Sequence, residues 1–108
     1  MIYKNINEKL QHLRKRSKYK NIPFNLDKNW LMEKLEAGRC EATGIEFSGN
    51  THPFCDPFVA SIDRIDCSKG YTKDNCQIVV QIYNIAKADH DEPTLLDWAK
   101  AFVEEYEK

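Results

Sequence analysis

The sequence predicts an α+β fold in which two strands and a helix lie between basic N-terminal helices and a C-terminal packing helix. Apolar residues recur at helical spacing near both ends of the chain. Between these ends, two short segments rich in β-branched residues, VASID (59–63) and QIVV (77–80), flank a polar loop that contains Gly70. A helical segment, QIYNIAKAD (81–89), follows the second strand directly.

The length and composition fit one domain, since 42% of the 108 residues are apolar. We divide it into a basic N-terminal part (1–39), a core (40–89) and an acidic C-terminal helix (90–108). No apolar run approaches the ~20 residues of a membrane-spanning helix. No secretory signal opens the chain. We therefore expect a cytoplasmic protein with no membrane partner.

Charge is distributed unevenly, although the net charge is only −1. Residues 1–39 carry ten Lys or Arg and four Asp or Glu, a net of +6, whereas residues 89–108 carry two and seven, a net of −5. The small net charge argues against a general polyanion binder. The basic segment 1–39 can still face nucleic acid while the acidic segment 89–108 stays in water.

The first predicted helix covers residues 4–18, where apolar residues from Ile2 to Leu13 recur at helical spacing. Its other face and the residues that follow are basic, with Lys4, Lys9, Arg14, Lys15, Arg16, Lys18 and Lys20. A solvated helix face is the ordinary interpretation of such a charge run. Because Tyr19 lies among these bases and can stack on a nucleotide, we favour contact with nucleic acid.

A second helix is predicted between Asp27 as N-cap and Gly38 as C′ residue, after Pro23 has ended the first helix. Its predicted buried stripe consists of Trp30, Leu31 and Leu35. A short strand is predicted at GIEF (44–47) within a loop-like region that extends to Phe58.

The last predicted helix begins near Pro93, with Asp91 or Glu92 as its cap. One apolar stripe runs along it, formed by Leu95, Leu96, Ala99, Phe102, Val103 and Tyr106. Trp98 lies at the edge of this stripe. The pattern predicts a helix that packs against the core.

The four cysteines are Cys40, Cys55, Cys67 and Cys76. No two of them have the C-x-x-C spacing typical of structural zinc, and disulfides are not expected in a cytoplasmic chain. We therefore expect reduced, mostly buried thiols and no structural zinc.

The central segment places chemically active side chains at the ends of its elements. Asp63 ends the first strand and Asn84 lies in the following helix, so their oxygens converge if the hairpin folds over that helix. Oxygen ligands suit Mg²⁺ or Mn²⁺, and such a metal stabilises charge in phosphodiester hydrolysis. Lys87, one turn after Asn84, can bind a neighbouring phosphate. An ordinary turn between two core elements explains the same residues, and spacing alone leaves both interpretations open.

Several pieces of sequence, occurring in order, resemble the HNH endonuclease family, in the branch common among phage and mobile-element proteins. The core pieces are SIDRID (61–66), GYTKDN (70–75) and NIAK (84–87), and IPFNLD (22–27) with CEATGIEF (40–47) resembles what that branch carries upstream. The resemblance covers about residues 20–88. It implies the ββα-metal fold and metal-dependent hydrolysis of DNA with low sequence specificity.

The resemblance also implies roles for individual residues. Asp63 and Asn84 stand where the family binds its metal, and Asn75 stands at the middle Asn that orients the loop between the strands. Arg64 replaces the His that acts as general base. Because Arg stays protonated, it can bind phosphate but cannot take a proton from water. Another group or metal-bound water must then act, and the side chains we considered are Asp66, His52, His90 and the more distant His12.

Two features of the family's zinc brace are missing, because Thr43 and Tyr83 stand where ligand cysteines are expected. The predicted phosphate-binding residues are Arg14, Lys15, Arg16, Lys18, Lys20, Lys69, Lys73 and Lys87. The expected partner is DNA in a bacterial or phage-infected cell, with a homodimer or a partner protein left open. Two alternatives remain: an HNH-fold module that binds nucleic acid or protein without cutting, and a structural interaction protein that uses its acidic C-terminal helix.

Overall fold

A computed structural model describes residues 6–49 and 56–108 of the chain. Within these residues it shows a small α+β domain, so the predicted class is confirmed. The elements in chain order are α1 (Ile6–Lys20), α2 (Lys28–Ala37), β1 (Ala60–Arg64), β2 (Cys76–Val80), α3 (Gln81–Lys87) and α4 (Glu92–Tyr106). The predictions that concern Ile2, Lys4, His52 and Cys55 lie outside the described residues.

No helix among the described residues is both long enough and apolar enough to cross a lipid bilayer.

The strands β1 and β2 form a two-stranded antiparallel sheet. Its register pairs Asp63 with Gln77 and Ile62 with Ile78. Since side chains alternate across a strand, Ile62 and Ile78 lie on one face, while Ser61 and Asp63 lie together on the other. The helix α3 begins at the residue after β2, and contacts both strands.

The main core lies between α1, α2 and one face of the sheet. Its buried members include Leu10, Leu13, Leu31, Ile62 and Ile78. A smaller buried cluster on the other side of β2 is formed by Cys40, Val79 and Val80. Because β2 is covered on both faces, its segment reads as a continuous apolar run rather than as an alternation.

Both ends of α2 agree with the sequence prediction. The Asp27 carboxylate accepts a hydrogen bond from the Trp30 backbone N–H at 2.8 Å. Gly38 ends the helix with φ 73°, a left-handed conformation that glycine adopts without steric cost. A hydrogen bond from Lys73, followed by that from Trp30, lowers the pKa of Asp27.

Other predicted boundaries differ from the structure by a few residues. The helix α1 continues to Lys20 instead of ending at residue 18, and α3 ends at Lys87 instead of 89. The predicted strand at 44–47 is wrong, because this segment makes only an isolated antiparallel bridge between Arg39 and Glu46. The segment turns on itself too tightly for a ladder to extend, with the Gly44 N–H bonded to the Cys40 carbonyl.

The packing predicted for the last helix is wrong for most of its length. The helix α4 begins where expected, with Asp91 as N-cap accepting from the Thr94 N–H. None of its residues is buried. Leu95 and Ala99 are half-buried near α3, whereas every residue from 100 to 108 is exposed. The core is already closed by α1, α2 and the sheet, so no described element lies against the rest of α4.

Candidate functional site

The centre of the candidate site is the buried carboxylate of Asp63, which is 2% exposed. Its Oδ1 accepts from Lys87 Nζ at 3.1 Å and its Oδ2 accepts from Gln77 Nε2 at 3.0 Å. The strand β1 supplies the carboxylate, β2 supplies the amide and α3 supplies the ammonium group. A buried carboxylate is stable only with such partners, because the desolvation of an unpaired charge is costly.

Lys87 is buried as deeply as Asp63, with 1% of its surface exposed. Besides the ion pair with Asp63, its Nζ donates to the Arg64 carbonyl at 2.8 Å. The sequence prediction placed Lys87 on a neighbouring phosphate, and the structure differs, since the ammonium group is not accessible. Its two contacts fix the end of α3 against the end of β1.

Asn84 lies one turn before Lys87 on α3 and faces β1. Its Nδ2 donates to Ser61 Oγ at 2.6 Å and to the Ile62 carbonyl at 3.2 Å. The structure therefore brings Asn84 to the same strand as Asp63, beside the residues that immediately precede it. With both protons of the amide used, the Oδ1 acceptor remains for an incoming group.

Asn75 connects the two sides of the loop between the strands. Its Oδ1 accepts from the Asp66 N–H at 3.0 Å, and its Nδ2 donates to the carbonyls of Asp66 at 3.0 Å and Gly70 at 2.9 Å. The side chain is buried at 7% exposure. These three bonds fix the conformation of the loop that follows Arg64.

Arg64 lies at the end of β1 and points along this loop. Its Nη1 donates to the Lys69 carbonyl at 3.1 Å, and its guanidinium lies 4.9 Å from the centre of the Tyr71 ring. One hydrogen bond and a cation–π contact leave most of the five guanidinium donors for another acceptor. An anionic group can therefore bind Arg64 without breaking its contact with the protein.

Two residues of this network were not singled out from the sequence, namely Gln77 and Tyr83. Gln77 lies directly opposite Asp63 in the sheet register, so a correct strand alignment would have identified it. The Tyr83 hydroxyl donates to Glu92 Oε2 at 2.8 Å and also interacts with Gln77. Burial and then the Glu92 hydrogen bond raise the pKa of Tyr83. The contacts extend from α4 to the carboxylate of Asp63.

Cys76, which pairs with Arg64 across the two strands, has a buried thiol. Burial raises the pKa of the Cys76 thiol to about 12, and the Asp63 carboxylate contributes in the same direction. Cys40 is buried and Cys67 is half-buried, and both are free thiols. In the described ranges, 6–49 and 56–108, no group of three or more His, Cys, Asp or Glu side chains could bind a metal ion.

The predicted phosphate-binding residues lie in three settings. Five of them, on α1, are exposed: Arg14, Lys15, Arg16, Lys18 and Lys20. Lys69 is exposed on the loop that Asn75 fixes, whereas Lys73 pairs with Asp27 at 2.6 Å. Only Lys87 among the set is buried.

Arg14 connects the basic helix to the site through aromatic contacts. Its guanidinium lies 5.2 Å from the centre of the Phe24 ring. Phe24 forms a parallel bridge with Tyr71, whose own ring lies against Arg64. The basic surface of α1 and the guanidinium of Arg64 are thus joined by one continuous set of contacts.

Three candidate general bases, Asp66, His90 and His12, lie within the described residues, and no hydrogen bond there joins any of them to Asp63. Asp66 accepts from the Ser68 N–H and hydroxyl at 2.9 and 2.6 Å, and the bond from the Ser68 side chain is the main cause that lowers its pKa. A lowered pKa makes Asp66 a weaker base. His90 is exposed just beyond α3 and His12 is exposed on α1. Neither imidazole has a hydrogen bond that directs it to Asp63 in the described structure.

The donor set fits a hard cation in part. Asp63 supplies carboxylate oxygens and Asn84 an amide oxygen, the types that Mg²⁺ accepts together with water and phosphate oxygens. Both Asp63 oxygens already accept from the protein, but a carboxylate has about four lone-pair directions and can add a cation.

A search of protein-family models, of curated proteins and of solved structures finds no match to this chain. The motif pieces and the contacts of the site are therefore the basis for a functional proposal.

Proposed function

We propose that this protein is a metal-dependent endonuclease of the HNH type, with a ββα-metal core formed by β1, β2 and α3. The observation that carries the proposal is the buried carboxylate of Asp63 at the end of β1, paired with Lys87, next to Arg64 and beside Asn84 of α3. A buried carboxylate beside an accessible guanidinium is an arrangement that can bind a cation and a phosphate together.

The proposed roles follow from the contacts of each side chain. Asp63 and Asn84 would hold Mg²⁺ or Mn²⁺, which supplies positive charge to the phosphodiester and lowers the pKa of a nearby water. Arg64 binds a non-bridging phosphate oxygen with its free donors. Lys87 orients the Asp63 carboxylate from within the fold through their ion pair. Asn75 fixes the loop that carries Lys69.

The exposed bases of α1 would extend the contact along the nucleic-acid backbone. Lys15, Arg16, Lys18 and Lys20 present four positive charges without ion-pair partners of their own in the described structure. Contacts of this kind carry no sequence information and weaken with salt. The proposed substrate is DNA in the cytoplasm of a bacterial or phage-infected cell.

One observation favours a second candidate, an HNH-fold module that binds nucleic acid without cutting it. Both oxygens of Asp63 already accept hydrogen bonds, from Lys87 and Gln77, and Arg64 cannot act as a base. In that case the Asp63–Lys87 pair has a structural role, and Arg64 with α1 binds the backbone.

A nicking assay with a matched control separates these candidates. Supercoiled plasmid and single-stranded DNA are incubated with Mg²⁺ or Mn²⁺, and with EDTA, using wild type, Asp63→Asn and Asp74→Asn. Asp74 is exposed on the same loop, where its carboxylate accepts from Thr72 Oγ1 at 2.6 Å, so its variant controls for an altered loop charge. Circular dichroism verifies that each variant is folded, and calorimetry measures Mn²⁺ binding independently of cleavage.

We expect metal-dependent nicking by wild type and Asp74→Asn, with a loss of about 100-fold or more in Asp63→Asn. Wild type that binds DNA in a salt-sensitive manner, without cutting or binding Mn²⁺, would support the non-cutting module instead. Nicking that survives in folded Asp63→Asn would contradict the proposed site, and a chain that neither cuts nor binds DNA would contradict both candidates.

A further inference from the structure

The distal half of α4, residues 98–106, presents apolar side chains that no described part of the chain covers. Trp98, Phe102 and Tyr106 form a row at helical spacing and are 56%, 56% and 80% exposed. Adjacent rings contact each other, with centroid distances of 6.0 Å and 5.9 Å. Leu96 and Val103, on the neighbouring stripe of the helix, are 52% and 50% exposed. The helix is therefore apolar over a face wider than its own contact with α3.

This apolar surface continues onto α3. Ile82 and Ile85 of α3 are half to two-thirds exposed. Ile82 lines an open apolar groove together with Leu96 and Trp98 of α4. The proximal end of α4 is fixed by the Tyr83–Glu92 hydrogen bond, so its distal half extends from a defined base.

The exposed area is close to what a stable dimer buries. An aromatic side chain offers roughly 200 Å², so the three rings of α4 leave roughly 400 Å² accessible at their measured exposures. Leu96, Val103 and the two isoleucines of α3 bring the patch to the order of 700 Å² per copy. A standard interface buries about 800 Å² per partner, whereas the largest apolar patch of a typical monomer is about 300–600 Å².

We propose that the occupant of this surface is a second copy of the chain, with α4 packed antiparallel against α4 around a two-fold axis near Phe102. This register places Trp98 against Tyr106 of the partner subunit and Phe102 against Phe102 of the partner subunit. Both pairs are aromatic, and a two-fold interface requires such self-complementarity. The proposal stands on packing alone and does not depend on the nuclease function.

Three charged residues of α4 near Phe102 do not oppose such packing. Asp97, Lys100 and Glu104 lie five or two residues from Phe102, which places them on the opposite side of a helix with about 3.6 residues per turn. The aromatic rows of two copies can therefore meet without these charges between them.

Sedimentation equilibrium on the full chain, from low micromolar to several hundred micromolar, tests the proposal. Two variants introduce the same side chain on different faces of α4: Phe102→Glu in the aromatic row and Ala101→Glu on the polar face. We expect wild type and Ala101→Glu to dimerise with similar affinity. Phe102→Glu should weaken association by about 100-fold or more, since each dimer loses two central contacts.

A double-mutant cycle tests the register. Because Trp98 faces Tyr106 of the partner subunit in this register, Trp98→Ala and Tyr106→Ala together should weaken the dimer by less than the product of their separate effects. Circular dichroism verifies that all variants keep their helices. A wild-type chain that stays monomeric throughout overturns the proposal and leaves a foreign protein as the occupant. A dimer that tolerates Phe102→Glu overturns this interface, and independent effects of Trp98→Ala and Tyr106→Ala overturn this register.

Discussion

Folded proteins usually expose charged side chains and bury aromatic ones. The surroundings of Asp63 and the distal half of α4 depart from this pattern in opposite ways. At Asp63 the protein buries an ion pair, with Asp63 and Lys87 at 2% and 1% exposure. On α4 it exposes aromatic side chains, with Phe102 at 56% and Tyr106 at 80%. The buried charges find their partners within the chain. Within the described residues, the exposed rings contact one another and are not covered by another element.

The two regions differ in where their side chains find partners. A buried ion pair contributes little net stability, because desolvation offsets most of the Coulomb attraction. Its benefit is positional, since Lys87 joins α3 to the end of β1 and Gln77 orients the carboxylate. The apolar face of the distal half of α4 has no partner among the other described residues, and the proposed dimer would cover it. The predictions below test the two regions in order of expected effect.

The largest effect should come from removing one member of the buried pair. Lys87→Met leaves Asp63 buried with Gln77 as its remaining side-chain partner, so we expect the free energy of unfolding to fall by about 3–5 kcal/mol. Urea titration measures the loss. Lys108→Met, which removes the exposed pair with Glu105 at 2.8 Å, is the matched control and should change stability little.

The same comparison can be made quantitative with a double-mutant cycle. If the cost of Lys87→Met arises from the unpaired carboxylate, adding Asp63→Asn should recover much of it. Additive losses in the double variant would show that the two side chains act independently and that their pairing is not the source of the effect.

A smaller but still large effect is expected at Gly70, in the loop that Asn75 fixes. A Cβ at this position would lie 2.2 Å from the Pro23 carbonyl oxygen, which is backbone and cannot rotate away. Gly70→Ala must therefore separate the loop from the segment before α2, at a cost of about 1–3 kcal/mol. Gly49→Ala is the control, because nothing lies within 4 Å of its Cβ position. Equal stability of both variants would contradict the close approach at Gly70.

The smallest effect is expected on α4. In dilute solution, where the chain is monomeric, Phe102→Ala should lower the free energy of unfolding by less than about 1 kcal/mol, because the ring is more than half exposed. Leu31→Ala, at a position with 0% exposure, should cost about 2–5 kcal/mol. Thermal unfolding of both variants gives the comparison. A large loss in Phe102→Ala would mean that the ring is already covered within one chain.

Local features of the sequence predicted most of the secondary structure. The ends of α2 followed from Asp27 and Gly38, and the start of α4 from Asp91 and Pro93, because caps act through backbone groups a few residues away. The segment 44–47 was predicted wrongly as a strand. Whether a short apolar segment joins a ladder depends on a neighbouring strand, which the local sequence does not contain.

The candidate site was only partly predictable. Spacing and resemblance singled out Asp63, Asn75 and Asn84. The structure places Asp63 on β1 and Asn84 on α3, and the Asn84 side chain bonds to the two residues before Asp63. Gln77 was missed because its contact with Asp63 depends on the strand register. Lys87 was expected to bind phosphate, and its burial against Asp63 depends on how α3 docks against β1.

The sequence by itself determined the α+β class, the order of the helices and strands, the caps of α2 and α4, and the clustering of basic residues on α1. These features depend on periodicity and on interactions within one or two turns of the chain. The tertiary structure alone decided that Lys87 would bind Asp63 and that α4 would leave its apolar face uncovered. Both outcomes depend on contacts between distant segments, whose free energies are set by the relative positions of whole elements and not by local preference.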